Sequence, residues 1–423
     1  MFKKTILDNG LRVILAPQAG SLATTILVLV EAGSKYETKE INGLSHFLEH
    51  MCFKGTAKRP RQIDIATELE GLGSEYNAFT SQEYTGYYAK ARREHLPKIF
   101  DVVADMYLNP TFPEGEIETE RGVIIEEINM YEDLPQRKVG DVFMSLLYGD
   151  QPAGWDVAGE KEIIRRLTRQ DFIDYRGGHY KAEATVVAVA GAFDEREVLA
   201  LIERTFADMP QGGKKGKLPV HEEQTEPAIK IQPKKSDQTH LVMGVRAFPV
   251  KDERRYAIMV LADVLGGGIS SRLFQNVRSK LGAAYYVNAD VDLYTDHGMF
   301  TAAAGIDHTK IEAVVSAIVG EFKKVAESEV PEAELEKSKE HLAGNLVMSL
   351  EGSDERALFY GMQEIKRGEV EEITKVVDRI KAVTAEEVKA VAADIFKNER
   401  LNLAVIGPFE GEEEKLKELL SLT

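Results

Sequence analysis

Two histidines and a glutamate lie within five residues of each other in the segment His46-Phe-Leu-Glu49-His50. Side chains four residues apart on an α-helix lie one above the other, so both imidazoles can reach the same metal ion. Glu49 lies beside them and can act on a water molecule at that ion without being a ligand itself. The segment therefore predicts a hydrolytic metal centre, although a chain with nine histidines can also show this spacing by coincidence.

A metal centre of this kind needs a further ligand from elsewhere in the chain. A catalytic zinc ion, for example, usually takes three protein ligands and leaves a fourth position to water. The acidic segment 116–133 predicts a helix with an apolar stripe, and it carries Glu120 and Glu127 on one face. One carboxylate could complete the ligand set while the other orients a histidine. The residues alone do not choose between Glu126 and Glu127, and a simple solvent-exposed acidic face would show the same pattern.

Composition restricts the class of protein. A chain of 423 residues predicts two or more domains. The net charge of -17 disfavours a nucleic-acid partner, because no basic excess exists to neutralise phosphates. The most apolar run, 26–30, is far too short to cross a bilayer, and the hairpin pattern around Asn9-Gly10 leaves no room for a signal or transit peptide. Together with the single cysteine, Cys52, which fits a buried apolar position in a reducing compartment, these features predict a cytoplasmic protein without a membrane partner.

The elements that position these residues are mixed. Strand-like runs rich in β-branched and aromatic residues cover 22–31, 75–79, 83–90 and 184–191, and helical patterns cover 44–54, 61–72, 94–108, 113–132 and 168–180. Helices lie between hairpin-capable strands without strict βαβ alternation. The pattern predicts an α+β fold in which helices pack on a mainly antiparallel sheet.

The chain reads as two similar halves. A segment rich in Gly, Lys and Pro lies near the midpoint, and three segments of the first half match three of the second at nearly equal offsets, in the same order. We therefore predict a metal-binding domain over 1–210, a linker over 211–220 and a homologous domain over 221–423. At these offsets Glu49 aligns with Asp263, His50 with Val264 and Glu127 with Asn345, so only the first copy is predicted to hold a metal.

Five separated motifs carry a resemblance to a known family. They are Gly43-Leu-Ser-His-Phe-Leu-Glu-His-Met-Cys-Phe-Lys-Gly-Thr56, Asn77-Ala-Phe-Thr-Ser-Gln-Glu-Tyr-Thr-Gly-Tyr-Tyr88, Glu120-Arg-Gly-Val-Ile-Ile-Glu-Glu127, Leu265-Gly-Gly-Gly-Ile-Ser-Ser-Arg-Leu-Phe274, and Arg278 through Tyr285. In this order they resemble the pitrilysin/insulysin family of zinc peptidases, and within it the branch of the mitochondrial processing peptidase β subunit. The resemblance covers both halves of the chain.

The resemblance implies one zinc ion per chain, held by His46, His50 and Glu127. Glu49 would be the general base, and Glu120 would be a supporting carboxylate. The implied fold is a pair of similar α+β domains, in agreement with the two halves inferred above.

Two further groups of residues are implied as substrate contacts. Arg278 and Tyr285 match family residues that contact the substrate and the oxyanion, although Leu281 and Ala283 between them depart from the family pattern. The segment Asn77-Ala78-Phe79-Thr80 reads as an exposed strand edge to which an extended peptide can add. Without the resemblance, an ordinary surface arginine, a half-buried tyrosine and an internal hairpin strand would explain these residues.

Long members of the family fuse two such chains, so a chain of this length predicts a homodimer. In that arrangement the arginine and tyrosine of one subunit complete the zinc site of the other. The function expected is that of a zinc endopeptidase or oligopeptidase acting on peptides. A partner-dependent processing peptidase and a non-catalytic assembly subunit are the alternatives, but such subunits typically lose part of the ligand set, which is intact here.

Overall fold

The structure is a computed structural model that describes residues 1–422. Its contacts divide the chain into two compact units, each built from one sheet and several helices. The first unit contains residues 1–129, 156–218 and 348–372, and the second contains 130–155, 219–347 and the chain from 373 onward. The predicted α+β class, with two domains that each have a mainly antiparallel sheet, is confirmed.

Within the described chain, the first unit has a six-stranded sheet. Its strands are β1 (Lys3–Ile6), β2 (Arg12–Pro17), β3 (Ala23–Val30), β4 (Glu75–Thr80), β5 (Thr85–Arg92) and β6 (Thr185–Gly191). They are ordered β1-β2-β6-β3-β5-β4, with β2 and β6 parallel and the other neighbours antiparallel. The predicted hairpin at Asn9-Gly10 is confirmed, since β1 and β2 pair on either side of it.

The second unit has a smaller sheet with the same internal order. Its strands are β7 (Ala228–Pro233), β8 (Thr239–Ala247), β9 (Ala284–Leu293), β10 (Gly298–Ile306) and β11 (Asn402–Gly407). The order β7-β11-β8-β10-β9 repeats β2-β6-β3-β5-β4, and the parallel pair occupies the same place. This repetition supports the duplication inferred from the sequence.

Helices cover both sheets. In the first half they are α1 (Leu44–Cys52), α2 (Gln62–Gly71), α3 (Leu96–Leu108), α4 (Glu114–Glu132), α5 (Pro135–Tyr148), α6 (Lys161–Arg166), α7 (Arg169–His179) and α8 (Glu195–Thr205). In the second half they are α9 (Arg255–Gly266), a π-helical turn (Phe274–Lys280), α10 (Ile311–Glu327), α11 (Glu332–Ser349), α12 (Ser353–Arg367), α13 (Ile373–Lys381), α14 (Ala385–Ile395) and α15 (Glu413–Lys417). Across residues 1–422, no helix combines the length and the hydropathy that a bilayer span requires.

Each half of the chain supplies one helix to the other unit. Helix α5 packs on β8 and β11 of the second unit, and α12 packs on β3 and β6 of the first. A hydrogen bond of 2.8 Å between the hydroxyls of Thr25 and Ser353 and an ion pair of 2.7 Å between Lys4 and the buried Glu364 attach α12 to the first sheet. The compact units are therefore discontinuous, unlike the continuous domains over 1–210 and 221–423 predicted from the sequence.

The two faces of the first sheet have different neighbours. Alternate residues of β3, including Ile26 and Val28, share one core with apolar residues of α1 and α3. The intervening Leu27 and Leu29 face α12, where Gly361 allows the helix to approach the sheet closely. The face that carries α1 positions the histidine segment, and the strand β4 lies at the end of the sheet beside it.

Candidate metal centre

The helix that carries the two histidines starts at a tightly packed turn. Gly43 precedes α1 with a φ of 96°, and a Cβ at this position would lie 2.6 Å from the carbonyl oxygen of Ala158, so the turn requires glycine. The side-chain oxygens of the buried Glu37 accept hydrogen bonds from the backbone N–H groups of Gly43 (2.8 Å) and Ser45 (2.6 Å). They therefore satisfy N–H groups that the first turn of a helix leaves without partners.

Three side chains converge on one point beside α1. The Oε2 atom of Glu127 lies 3.6 Å from Nε2 of His46 and 3.6 Å from Nε2 of His50. The three ligand atoms all lie within 4.8 Å of one another. The two imidazole rings meet nearly edge to face, with centroids 4.8 Å apart, so both nitrogens and the carboxylate oxygen face a shared space.

This donor set fits a tetrahedral zinc ion. Zinc takes histidine nitrogen and carboxylate oxygen at about 2.1 Å, which places neighbouring ligand atoms roughly 3.4 Å apart. The separations of 3.6 Å are close to that value, and three donors leave the fourth position to solvent. Of the two adjacent glutamates, Glu127 lies with the histidines, whereas Glu126 is exposed.

A buried carboxylate orients one of the histidines. The Nδ1 atom of His50 lies 2.9 Å from Oε1 of Glu120, whose other oxygen is paired with Lys54. An Nδ1–H group that donates to Glu120 leaves Nε2 of His50 available to a metal ion. Burial alone would raise the pKa of Glu120, but the hydrogen bonds from His50 and Lys54 outweigh it and lower that pKa. Glu120 is thus held as a carboxylate, in the position expected for a supporting group.

Glu49 lies between the histidines and the end strand of the sheet. Its Oε2 accepts a hydrogen bond of 2.5 Å from the hydroxyl of Thr80, the last residue of β4. Burial raises the pKa of Glu49, and the hydrogen bond from Thr80 and the nearby His50 offset only part of this rise. A carboxylate with a raised pKa holds a proton more readily than an exposed one, as a general base at neutral pH requires.

Comparison of the sequence with known proteins assigns the chain to a family. The sequence model described as "Insulinase (Peptidase family M16)" matches residues 12–161, and the model described as "Peptidase M16 inactive domain" matches residues 166–342. An "Uncharacterized zinc protease YmxG" of Bacillus subtilis is 35% identical over 408 residues, which covers 96% of this chain and 98% of the relative. The chain belongs to peptidase family M16.

Other relatives agree with this assignment. An "Uncharacterized zinc protease" of Rickettsia felis is 35% identical over 413 residues, covering 96% of this M16 chain and 98% of the relative. A solved protease structure from Helicobacter pylori has the same fold, with a TM-score of 0.91 at 23% identity over 96% of this chain and 99% of that chain. The names of the Bacillus and Rickettsia relatives support a zinc peptidase. The predicted resemblance to the pitrilysin/insulysin family is confirmed.

The end strand of the first sheet in this M16 chain is the segment predicted to dock peptides. Strand β4 pairs with β5 along one side and is last in the strand order of the described sheet. Ala78 and Thr80 face α1, whereas Asn77 and Phe79 face the opposite way. The backbone at Asn77–Thr80 therefore lies beside Glu49. Docking of a peptide along this strand stays a prediction.

Arg278 and Tyr285 belong to the second unit of the M16 chain, whereas the histidine cluster belongs to the first. Arg278 lies in the π-helical turn Phe274–Lys280, and Tyr285 lies in β9, at the end of the second sheet. The guanidinium carbon of Arg278 is 5.7 Å from the ring centroid of Tyr285. The structure therefore brings these two residues together, with 73% of Tyr285 exposed.

Three contacts around the histidine cluster of this M16 chain were not predicted from the sequence. Lys54 pairs with Glu120, and its position four residues after His50, where the helix ends, is a spacing signal that could have revealed it. The contact of Thr80 with Glu49 and the capping of α1 by Glu37 join segments distant in sequence. Nothing in the local pattern distinguishes Glu37 from the other acidic residues of its loop.

Proposed function

We propose that this chain is an active zinc endopeptidase or oligopeptidase in which Glu49 is the general base. The observation that carries the proposal is the convergence of two imidazole nitrogens and one carboxylate oxygen within 4.8 Å, beside a buried glutamate. A subunit that had become non-catalytic would have no reason to keep both the ligand atoms and the base in this geometry.

The chain's own residues have distinct roles in the proposed reaction. A zinc ion held by His46, His50 and Glu127 would supply a Lewis acid and an acidified water. Glu49 accepts the proton of the attacking water and later delivers it to the leaving amine. Glu120 holds the ring of His50 in the tautomer that presents Nε2, through the 2.9 Å contact at Nδ1.

The substrate is proposed to bind as an additional strand along β4. Main-chain hydrogen bonds to an end strand give affinity with little dependence on sequence. The hydrogen bond of 2.5 Å between Thr80 and Glu49 fixes the base next to this strand, so a peptide on β4 passes the proposed base. This arrangement suits peptides that are unfolded or short.

Arg278 and Tyr285 are proposed to donate hydrogen bonds to the charge that develops on the peptide carbonyl. We propose that they act in a homodimer, where the residues of one subunit complete the site of the other. The strong exposure of Tyr285 supports a role that depends on a contact outside its own sheet.

A mixing experiment tests the shared site. Glu49→Ala protein and Arg278→Ala protein, each inactive alone, should regain activity when they are mixed and allowed to exchange subunits, because one composite site is then intact. Activity no higher than the sum of the two separate variants would contradict sharing between subunits.

Metal analysis and peptide hydrolysis test the proposed function directly. We expect about one zinc per chain and hydrolysis of a mixed peptide library by the purified chain. Glu49→Gln should retain zinc while hydrolysis falls about 10²- to 10⁴-fold. Full hydrolysis by this variant would exclude Glu49 as the base. A wild-type chain that cleaves only after a partner protein is added would instead identify a partner-dependent processing peptidase.

A further inference from the structure

A cavity of about 280 Å³ lies in the second unit, where β8 ends and α9 begins. The end of α14 and the segment before β11 complete its walls. The walls carry charges of both signs and an apolar patch. The charged residues are Arg246, Arg254, Arg400, Glu222 and Asp394, and the apolar ones are Ala247, Phe248 and Ile395. None of the roles proposed above uses this cavity.

One of the three arginines is neutralised within the chain and fixes a wall of the cavity. The guanidinium of Arg254 pairs with Asp394 at 2.8 Å and with Asp252 at 2.8 Å. It also lies over the ring of Phe248, with its central carbon 4.3 Å from the ring centroid. Arg254 therefore has its counter-ions already and does not need a ligand.

The other two arginines have only neutral hydrogen-bond partners. Arg246 donates to the side-chain oxygen of Gln224 and to the backbone carbonyl of Leu147. Arg400 donates to the backbone carbonyl of Asp394 at 3.1 Å. Neither guanidinium forms an ion pair with a carboxylate of residues 1–422. A partly buried cation without a counter-ion is costly, so these two arginines are suited to a carboxylate supplied by a ligand.

Glu222 places a negative charge in the same cavity, beyond ion-pair distance of both arginines. Desolvation raises the pKa of Glu222, and the charges of Arg246 and Arg400 offset part of this rise. Burial lowers the pKa of Arg246, Glu222 offsets part of the fall, and the like charge of Arg400 adds to it. The opposite charges thus act on each other across the cavity without being joined, which leaves room for a ligand that contacts both.

The size of the cavity and its apolar patch restrict the ligand further. Ligand pockets usually have about 300 to 1,000 Å³, so a volume of about 280 Å³ suits a small molecule. Ala247, Phe248 and Ile395 line the cavity with apolar atoms, against which an apolar side chain of the ligand can pack.

We propose that this cavity binds a small zwitterion, namely a free α-amino acid or a dipeptide with apolar side chains. The ligand carboxylate accepts hydrogen bonds from Arg246 and Arg400, and the ligand ammonium group pairs with Glu222. An inorganic anion would leave Glu222 facing a like charge, and a simple cation would leave the two arginines uncompensated. The inference does not depend on the proposed peptidase function, although such molecules are products of peptide hydrolysis.

Calorimetric titration with ligands that lack one charge tests this inference. Leucine and leucyl-leucine carry both charges, their N-acetylated forms lack the ammonium group, and their amidated forms lack the carboxylate. Glu49→Gln protein is used so that the dipeptide is not hydrolysed. At least one of the two zwitterions should bind, and each of its single-charge forms should bind about tenfold more weakly. Binding of leucine alone identifies an amino-acid site, and binding of leucyl-leucine alone identifies a dipeptide site.

Two substitutions assign the charges to their partners. Arg400→Gln should weaken binding of the zwitterion and of the acetylated form about tenfold and leave the amidated form unchanged, because only a carboxylate has lost its partner. Glu222→Gln should weaken the zwitterion and the amidated form and leave the acetylated form unchanged. Glu222 is exposed, so its substitution should not impair folding. Glu223→Gln, which removes the neighbouring exposed carboxylate, should alter none of these affinities.

Three results would overturn the inference. They are no binding of either zwitterion at millimolar concentration, equal binding of the zwitterion and both single-charge forms, and binding of inorganic phosphate as tight as that of the zwitterion. A ligand held at the metal centre would be insensitive to Arg400→Gln and Glu222→Gln, and that result would also exclude the cavity. The titrations do not measure hydrolysis, so their failure leaves the proposed function standing, and a wild-type chain without hydrolysis leaves the cavity standing.

Discussion

The first and second units use the same pair of helices in different ways. In the first, α1 carries His46, Glu49 and His50 and lies beside α4, which carries Glu120 and Glu127. In the second, α9 carries Val260, Asp263 and Val264 at the matching positions, and α11 carries Ser338 and Asn345. Both valines are fully buried, so positions that present candidate metal donors in one copy complete an apolar core in the other.

One polar link between the helices is retained in both copies, but with its partners exchanged. In the first unit an imidazole on α1 contacts a carboxylate on α4, at 2.9 Å between His50 and Glu120. In the second unit the carboxylate is on α9 and the imidazole is on α11, at 2.6 Å between Asp263 and His341. We infer that a histidine–carboxylate link stabilises this helix pair in either orientation. The three candidate metal donors of the first copy are replaced by Val260, Val264 and Asn345 at the matching positions of the second.

The largest expected effect comes from giving the first copy the side chains of the second. His46→Val with His50→Val removes both nitrogen donors and introduces the residues found at 260 and 264. Zinc measured by elemental analysis should fall to background, and peptide hydrolysis should fall about 10³-fold or more.

The adjacent glutamates of α4 provide a matched control for that substitution. Glu127→Gln should also lose zinc, because its Oε2 lies 3.6 Å from both imidazoles. Glu126→Gln should keep zinc and activity, since this side chain is exposed. Equal zinc loss in the two variants would contradict the assignment of the third ligand.

A smaller effect is expected where the first copy has Glu120 and the second has Ser338. Glu120→Gln removes the charge that orients His50, so zinc affinity should fall about 10- to 100-fold. Competition with a chelator of known affinity measures this change. Glu114→Gln, an exposed position in the first turn of the same helix, is the control and should leave the affinity unaltered. An affinity unchanged by Glu120→Gln would show that the supporting contact does not orient the ligand.

Much of this arrangement could be predicted from residue patterns, because the relevant signals are local. The spacing of His46 and His50 determines that they share a helix face, and α4 was predicted at 113–132 and found at Glu114–Glu132. The choice of Glu127 over Glu126 depended instead on how α4 is rotated against α1, which is a tertiary property. Two adjacent residues of similar propensity give no local signal for it.

The exchange of α5 and α12 between units could not be predicted. Helix α5 has an apolar stripe, with Val139, Val142, Phe143 and Leu147 buried, but such a stripe does not say which sheet it covers. Its burial against the second sheet is decided by packing between segments about a hundred residues apart in the chain, such as Leu147 and Arg246. The contact of Glu37 with α1 could not be predicted for the same reason. Glu37 is a loop residue outside any sequence motif, and only the folded structure brings it to α1.

The starts of the two helices should differ in pH dependence. Burial raises the pKa of Glu37, which caps α1, from 4.5 to about 7, whereas the hydrogen bond from Arg254 lowers the pKa of Asp252 at the start of α9. Between pH 4.5 and 7 the folded state keeps Glu37 protonated while the unfolded chain ionises it. The stability that this proton contributes is therefore complete below pH 4.5 and is lost as pH rises to 7.

Replacing Glu37 tests that difference. The free energy of unfolding of Glu37→Gln relative to wild type should shift in favour of the variant by on the order of 3 kcal/mol between pH 4.5 and 8. Urea unfolding of the metal-free proteins at several pH values measures this shift. Asp252→Asn should produce no such shift above pH 5, because a lowered pKa affects stability only at more acidic pH. Parallel pH profiles for wild type and Glu37→Gln would contradict the buried, protonated state.

The smallest effect is expected at the exchanged link of the second unit. His341→Ala leaves the buried carboxylate of Asp263 without its 2.6 Å partner, and this should lower the free energy of unfolding by about 1 to 2 kcal/mol, since His341 is itself partly exposed. In an Asp263→Asn background the same substitution should cost less, because no charge remains to be left unpaired, and a double-mutant cycle gives the coupling. Zinc content should be unchanged in all three variants. If His341→Ala removed zinc from the first unit, the metal centre would depend on the second copy, and the separation of roles between the two helix pairs would not hold.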